Sequence, residues 1–146
     1  MLFTMLLVTK VFHFETAHAI FGYQGLCKNI HGHSYELHVT IGPVKTPDHY
    51  LDGLGIVFDF KDLKRLVSNH VLEIFDHKLL LSKKYVAANP HLANLDYLDV
   101  WDHEPTAENI LIYIKEKLQG VLPQQVKLVR LKIFETKNSY AEWISE

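Results

Sequence analysis

The chain has few of the residues that form disulfides and no large excess of charge of either sign. It has a single cysteine, Cys27, among 146 residues, so no disulfide can form within the chain. Its 15 lysines and arginines are balanced by 17 aspartates and glutamates, which leaves a formal net charge of −2. We therefore expect neither a disulfide framework nor a nucleic-acid partner, because nucleic-acid binding needs a basic surface.

Long hydrophobic runs are also missing. The first eight residues are apolar except for Thr4, but they are too short to span a bilayer and lack the basic start and small-residue cleavage site of a secretory signal. We expect them to lead into a strand, in a cytoplasmic protein with no membrane partner. No internal repeat, low-complexity tract or linker interrupts the sequence, which predicts a single domain over residues 1–146.

Histidine, by contrast, is plentiful. Two of the ten histidines, His31 and His33, open a segment over residues 31–42 in which apolar and polar side chains alternate. Alternation with period two predicts a half-buried strand, and both histidines have the parity of its apolar residues. Two imidazoles on one face can chelate a metal if a third ligand joins them. In a chain this rich in histidine, a chance pair on the surface is the open alternative.

His18 is the candidate for that third ligand. It follows a strand predicted from about Leu6 to Thr16 and has the parity of the strand's core phenylalanines. A hydrogen-bonded histidine at a strand end is the alternative interpretation. His13 has the opposite parity and should face solvent. Cys27 lies in a loop, close before the two other histidines, and a lone cysteine with partner histidines is a candidate nucleophile.

Two further positions carry acidic side chains where chemistry is possible. Asp76 and His77 directly follow a helix predicted to begin after Asp59 and to end near Phe75, and they could form an acid–base pair or simply cap the helix. Glu135 ends a row of apolar residues in a strand predicted over residues 126–136. A carboxylate there suggests a ligand anchor or a buried salt bridge.

The element order predicts the fold class. Two strands and a hairpin that returns over residues 55–58 are followed by the first helix. After an irregular stretch, residues 79–103, a second helix opens at Pro105–Asn109 with Thr106 as a plausible cap, and two strands end the chain. This order predicts an α+β domain, an antiparallel sheet with two helices on one face. The other face is apolar in places, which favours oligomerisation.

The sequence resembles the 6-pyruvoyl-tetrahydropterin synthase / 6-carboxytetrahydropterin synthase family over nearly its whole length. Six short motifs in the same order and spacing carry the resemblance: Phe14-Glu-Thr-Ala-His18, Cys27-x-x-x-His31-Gly-His33-Ser34, Val57-Phe58-Asp59-Phe60 with Leu63-Lys64, Asp76-His77-Lys78, Pro105-Thr106-x-Glu108-Asn109 and Phe134-Glu135-Thr136. The resemblance implies the tunnelling fold, with a four-stranded antiparallel sheet and two helices. In that fold three copies close one barrel, and two trimers stack into a homohexamer.

The resemblance also implies roles for individual residues. His18, His31 and His33 would bind one zinc ion per subunit. Cys27 would be the general base, with Asp76 and His77 as its acid–base partners. Glu135 would anchor the pterin ring, and Thr106 and Glu108 would support the pterin pocket or lie behind it, with helix capping an equal alternative for Thr106.

Two activities occur within this family, and both use 7,8-dihydroneopterin triphosphate. One branch gives 6-carboxy-5,6,7,8-tetrahydropterin, acetaldehyde and triphosphate for queuosine biosynthesis, and the other gives 6-pyruvoyl-tetrahydropterin. Glu15-Thr-Ala-His18 is closer to the Glu-Ala-Ala-His of the queuosine branch, which favours a carbon–carbon lyase. Thr16 departs from the pattern of both branches. A non-catalytic zinc- or pterin-binding protein of the same fold is the alternative from another functional class.

Overall fold

The computed structural model describes residues 5–146; residues 1–4, part of the segment expected to lead into a strand, lie outside the described range. The strands are β1 Val8–His18, β2 His31–Pro43, β3 Lys78–Ser82, β4 Leu98–Trp101, β5 Val126–Thr136 and β6 Ser139–Ile144. The helices are α1 Phe60–Val67, α2 Glu73–Phe75, α3 Lys83–Ala88 and α4 Ala107–Val121. The predicted α+β class is confirmed.

The strands form one sheet in the order β4-β3-β1-β2-β5-β6. Its centre is antiparallel, but β3 runs parallel to β1, and β4 runs parallel to β3. The expectation of four antiparallel strands is therefore wrong by these two strands. Both lie in or next to the stretch predicted to be irregular. The strand β3 could not be predicted because its apolar run Leu79–Leu81 is almost fully buried and so shows no alternation.

The predicted hairpin strand over residues 55–58 is also absent from the sheet. Both edges of β2 are occupied, one by β1 and the other by β5, so no ladder is free for a returning strand. Ile56 is 54% exposed, while Val57 and Phe58 pack against the core from a loop. Their hydrophobicity reflects loop packing, not strand pairing.

One face of the sheet, here called the inner face, is covered by helices. Asp59 caps α1 through a hydrogen bond from the Lys61 amide, 2.7 Å, and the helix continues through a π-helical turn, Ser68–Leu72, into α2. Phe14, Leu37 and Ile133 from the sheet share one core cluster with residues of α1, α2 and α4. Within residues 5–146 no helix has the length and apolar character needed to cross a membrane.

The opposite face of the sheet, here called the outer face, is covered only at one side. A small cluster there joins Ala19, Leu79 and Leu81 with Tyr85 and Val86 of α3. Toward β2 and β5 the outer face carries exposed or half-exposed polar residues, including Glu36 and His38. Helices α1, α2 and α4 therefore cover the inner face, and α3 covers the parallel strands on the outer face.

Candidate metal centre and active site

The register between β1 and β2 brings the three predicted histidines together. His18 pairs directly with His31, and His33 pairs with Thr16 on the same inner face. The ring centroids of the three imidazoles are separated by 4.7, 4.9 and 5.2 Å. Directly paired residues and their diagonal neighbours on one face lie within side-chain reach, so two strands are enough to build the cluster.

Backbone carbonyl groups fix the orientation of two of these rings. His18 Nδ1 donates to the carbonyl of Pro105 at 2.6 Å, and His31 Nδ1 donates to the carbonyl of Asn29 at 2.7 Å. A carbonyl can only accept, so in the neutral rings each Nδ1 carries the proton and each Nε2 presents a lone pair. Such an outer hydrogen bond is the usual support of a metal-bound histidine.

The Nε2 atoms converge in a way that fits a cation. Those of His18 and His31 lie 3.2 Å apart, where two lone pairs repel each other unless a proton or a cation lies between them. His33 Nε2 is buried and has no aligned hydrogen-bond partner within residues 5–146. Together with Glu135 these residues form a group whose ligand atoms all lie within 4.8 Å of one another, and it could hold a metal ion.

The Glu135 carboxylate contacts the histidine cluster directly. Its Oε1 is 2.9 Å from His33 Nε2 and 3.5 Å from His18 Nε2. While the imidazoles are protonated, a hydrogen bond from His18 and the charges of the three rings lower the pKa of Glu135, although burial opposes the shift. Burial lowers the pKa of His33, and Glu135 only partly offsets this effect. A carboxylate beside neutral imidazoles is the donor set that a divalent transition metal uses.

Tyr35 lies beside the same histidines, and the alternation over residues 31–42 predicted for it no role beyond a place on the apolar face. Its ring stacks on Phe14 at 5.3 Å and meets His33 edge-on at 5.5 Å. Its hydroxyl is buried and has no hydrogen-bond partner among the described residues. Burial raises the pKa of Tyr35, and the charges of Glu135 and Cys27 raise it further. The signal was available in the sequence, because Tyr35 shares the parity of His33.

Cys27 lies in the short 3₁₀ turn Leu26–Lys28 and is half-buried. Its carbonyl accepts a hydrogen bond from the Ile20 amide at 2.8 Å, and the hydroxyl of Tyr85 in α3 donates to the carbonyl of Lys28 at 3.0 Å. The thiol is not one of the four groups that converge. Its charge makes a minor contribution to the raised pKa of Tyr35, and the turn holds the sulfur outside the group of converging ligands.

The Asp76–His77 pair lies at the edge of β1 and not within the cluster. The two side chains meet at 3.1 Å between Asp76 Oδ2 and His77 Nδ1, and the imidazole is 80% exposed. Asp76 Oδ1 accepts from the Glu15 amide at 2.8 Å. A cavity of about 770 Å³ lies beside His77 and is lined by Lys78 and by outer-face residues of β1 and β2, among them Glu15 and Ser34, whereas His18, His31, Glu135 and Cys27 do not line it.

The motif at the start of α4 is a support for His18. Thr106 caps the helix by accepting from the Asn109 amide at 3.2 Å, as one of the two alternatives predicted, and Glu108 is exposed in the first turn. The His18 ring is held by the carbonyl of Pro105. A carbonyl group leaves no signal in a side-chain pattern, which is why this contact could not be predicted.

Comparison with known proteins gives the class to which this site belongs. The family model described as 6-pyruvoyl tetrahydropterin synthase matches residues 7–146, and the chain belongs to that family. It is 32% identical over 142 residues to the 6-carboxy-5,6,7,8-tetrahydropterin synthase of Rickettsia typhi, covering 94% of this chain and 99% of the relative. The human 6-pyruvoyl tetrahydrobiopterin synthase is 31% identical over 124 residues, covering 84% and 72%.

A solved structure agrees with these sequence relatives. The Caenorhabditis elegans 6-pyruvoyl tetrahydropterin synthase superposes with a TM-score of 0.68 at 27% identity, covering 99% of this chain and 100% of that one. The expectation of the tunnelling fold is therefore confirmed, with six strands in the sheet of this chain instead of four.

Proposed function

We propose that the chain is a zinc-dependent lyase of one domain, residues 1–146, that acts on 7,8-dihydroneopterin triphosphate. With uptake of one water molecule the products are 6-carboxy-5,6,7,8-tetrahydropterin, acetaldehyde and triphosphate, a step of queuosine biosynthesis. The observation that carries the proposal is the convergence of the Nε2 atoms of His18, His31 and His33, with two of the rings already held by carbonyls. The relative from Rickettsia typhi, named for this product, supports the branch.

His18, His31 and His33 are the proposed ligands of one zinc ion per subunit. When bound, zinc acts as a Lewis acid that polarises the hydroxyl oxygens of the substrate side chain and acidifies their protons. Neutral imidazoles are needed for ligation, and burial favours the neutral form of His33. The fourth donor position would be left open for the hydroxyl oxygens of the substrate side chain, with Glu135, whose Oε1 lies 2.9 Å from His33 Nε2, beside the three ligands.

Cys27, Asp76 and His77 are the proposed acid–base groups. Cys27 accepts a proton from the substrate side chain as a thiolate; its half-buried position in the turn before His31 supports this role. Asp76 orients the His77 imidazole through the contact to Nδ1, so that the other ring nitrogen is left to move the second proton.

Glu135 is the proposed anchor of the pterin ring. Its carboxylate accepts two hydrogen bonds from the 2-amino group and N3–H of the pterin, a charge-assisted bidentate arrangement, and its lowered pKa keeps it ionised. Thr106 and Glu108 support the pocket, Thr106 by capping the helix that begins just after Pro105, the residue whose carbonyl holds His18. Lys78 lines the same cavity as His77 and is a candidate for the triphosphate.

The test is an incubation of the zinc-loaded protein with 7,8-dihydroneopterin triphosphate, with acetaldehyde and the reduced pterin measured separately. Acetaldehyde in equal amount to the carboxylated pterin is expected. Cys27→Ala should abolish both products and keep the zinc. Leu26→Ala is the matched control, because Leu26 lies in the same turn and is 85% exposed. Product formation by Cys27→Ala at the wild-type rate would contradict the proposed mechanism.

A second function has its own support. The human relative, 31% identical, is named for the 6-pyruvoyl product, which forms by loss of triphosphate and internal rearrangement without carbon–carbon cleavage. Release of triphosphate without acetaldehyde would select this branch. Binding of zinc and pterin with no turnover at all would instead indicate a carrier protein of the same family.

We also propose a homohexamer built from two trimers as the working form. Within residues 5–146 the outermost strands, β4 and β6, each have one edge without a partner strand, and Val100, Tyr140 and Ile144 on them are 42%, 51% and 57% exposed. Open edges of this kind pair with strands of other chains. Light scattering of the purified protein that gives the mass of one chain would contradict the hexamer.

A further inference from the structure

The turn that carries the proposed acid–base pair is pinned to β1 by hydrogen bonds. The Thr16 hydroxyl donates to the carbonyl of Phe75 at 2.7 Å. The Glu15 amide donates to Asp76 Oδ1 at 2.8 Å, and the His77 amide donates to the carbonyl of Glu15 at 2.6 Å. We call these five residues the β1 clamp. It fixes residues 75–77 against residues 15–16 from both sides of Asp76.

The clamp holds a strained backbone. His77 has a φ of +60°, and it is the one non-glycine residue with positive φ in the described part of the chain. A residue with a Cβ adopts this region at a cost and persists there only when its surroundings fix it. The His77 side chain is 80% exposed, so packing of the ring cannot supply that restraint. The hydrogen bonds of the clamp supply it.

Thr16 is the unusual member of the clamp. It is only 3% exposed, on a strand whose neighbouring inward residues are aromatic or histidine. Valine would fill the same space without burying a polar group, so a buried hydroxyl at this position needs a hydrogen-bond partner. Its partner is the carbonyl of Phe75, and this is the one bond of the clamp that a side chain of β1 donates.

We infer that Thr16 is a positioning residue for the Asp76–His77 pair. Its hydroxyl holds the carbonyl of Phe75, and thereby the strained turn, at a fixed place along β1. The same strand carries His18 two residues later, and Thr16 pairs directly with His33. The clamp therefore ties the acid–base pair to the strand that positions the metal ligands. The inference rests on the proposed function, because the role of the pair is part of it.

The kinetic test compares Thr16→Val, which removes the hydroxyl and keeps the shape, with Thr16→Ser, which keeps the hydroxyl. Thr40→Val is the matched control: Thr40 is 4% exposed and its hydroxyl bonds Thr9 at 2.7 Å at the far end of the same strands. Thr16→Val should lower kcat by about 10- to 100-fold, the penalty expected for a small misplacement of a reacting group. KM should change less than about twofold, because substrate contacts are not removed.

Thr16→Ser should restore kcat to within about threefold of wild type, and Thr40→Val should leave it unchanged, since both retain the clamp. A structural role alone would lower the melting temperature of Thr16→Val and Thr40→Val alike and leave kcat intact below that temperature. A Thr16→Val enzyme with wild-type kcat, or a Thr16→Ser enzyme as slow as Thr16→Val, would overturn the inference.

A second readout does not depend on activity. Amide hydrogen exchange at His77 should accelerate in Thr16→Val and stay at the wild-type rate in Thr16→Ser and Thr40→Val. Unchanged exchange at His77 in Thr16→Val would overturn the clamp. If Thr16→Val does not fold, Thr16→Ala replaces it in the same comparison with Thr16→Ser. A wild-type protein without turnover would refute the proposed function alone, while the exchange rates would still decide whether Thr16 holds the turn.

Discussion

The inner and outer faces of the central strands carry the same residue types and yet differ in what they can bind. On the inner face His18, His31, His33 and Glu135 come from three strands and converge within 4.8 Å. On the outer face His38 Nε2 contacts Glu36 Oε1 at 2.6 Å. These two residues lie on a single strand, two positions apart, and they already satisfy each other.

Burial and anchoring account for the difference. The His18 and His33 side chains are 2% and 17% exposed, whereas His38 and Glu36 are 28% and 42% exposed. Two of the inner-face rings, His18 and His31, are held at Nδ1 by backbone carbonyls, so their Nε2 atoms are oriented before any ligand arrives. Water competes for the outer pair. A histidine and a glutamate become a site only when several elements orient them away from solvent.

The largest contrast should appear when a histidine is removed from each face of β1. His18→Ala should weaken zinc binding by more than about 100-fold, because loss of a ligand exceeds the effect of losing its outer hydrogen bond. His13→Ala should leave zinc binding unchanged, since His13 is exposed on the opposite face. Zinc per chain after competition with a chelator measures both, and equal retention in the two variants would contradict the inner-face site.

The next largest contrast should appear in pterin binding when a glutamate is replaced on each face. Glu135→Gln should weaken binding of a pterin by about 10- to 100-fold, because one charge-assisted hydrogen bond contributes about 1.5–3 kcal/mol. Glu36→Gln should bind the pterin as the wild type does. Fluorescence titration with the zinc content measured in parallel decides the role of Glu135. Loss of pterin with zinc retained supports the anchor, and loss of zinc with pterin retained would make Glu135 a metal ligand instead.

Removing a tyrosine hydroxyl should change the free energy of unfolding differently at a buried and at an exposed position. Tyr35→Phe should stabilise the metal-free protein by about 1 kcal/mol, because an unpaired buried hydroxyl is costly and that of Tyr35 has no partner in residues 5–146. Tyr140 is 51% exposed, and Tyr140→Phe should stay within about 0.5 kcal/mol of wild type. Urea unfolding measures both changes. A Tyr35→Phe protein that is clearly less stable would show that the hydroxyl has a hydrogen-bond partner in solution.

The smallest effect concerns pH and the outer pair. A hydrogen bond from His38 lowers the pKa of Glu36. A carboxylate whose pKa is lower in the folded state adds stability above its unfolded value of about 4.3, and this contribution is lost as the pH falls through the folded pKa. Glu36→Gln should therefore be slightly less stable than wild type near pH 7 and equal to it at pH 2. A stability difference that persists at pH 2 would contradict this linkage.

The long alternating and periodic segments could be predicted from the sequence because one face of each is buried. β5 was predicted with the bounds that it has, Val126–Thr136, and the helix after Asp59 with its cap. β3 was missed because its leucines are buried on both sides and show no period. The false strand at residues 55–58 was apolar for another reason, since Val57 and Phe58 pack against the core from a loop.

Sequence alone determined which residues of each strand face inward, because a strand alternates with period two and the core selects one parity. That was enough to place His18, His31, His33 and Glu135 on one side of the sheet. Only the tertiary structure decided that His18 lies opposite His31, that Pro105 holds the His18 ring, and that residues 75–77 are bonded to Glu15 and Thr16. Register and contacts between distant segments depend on how whole elements pack, and no local pattern records them.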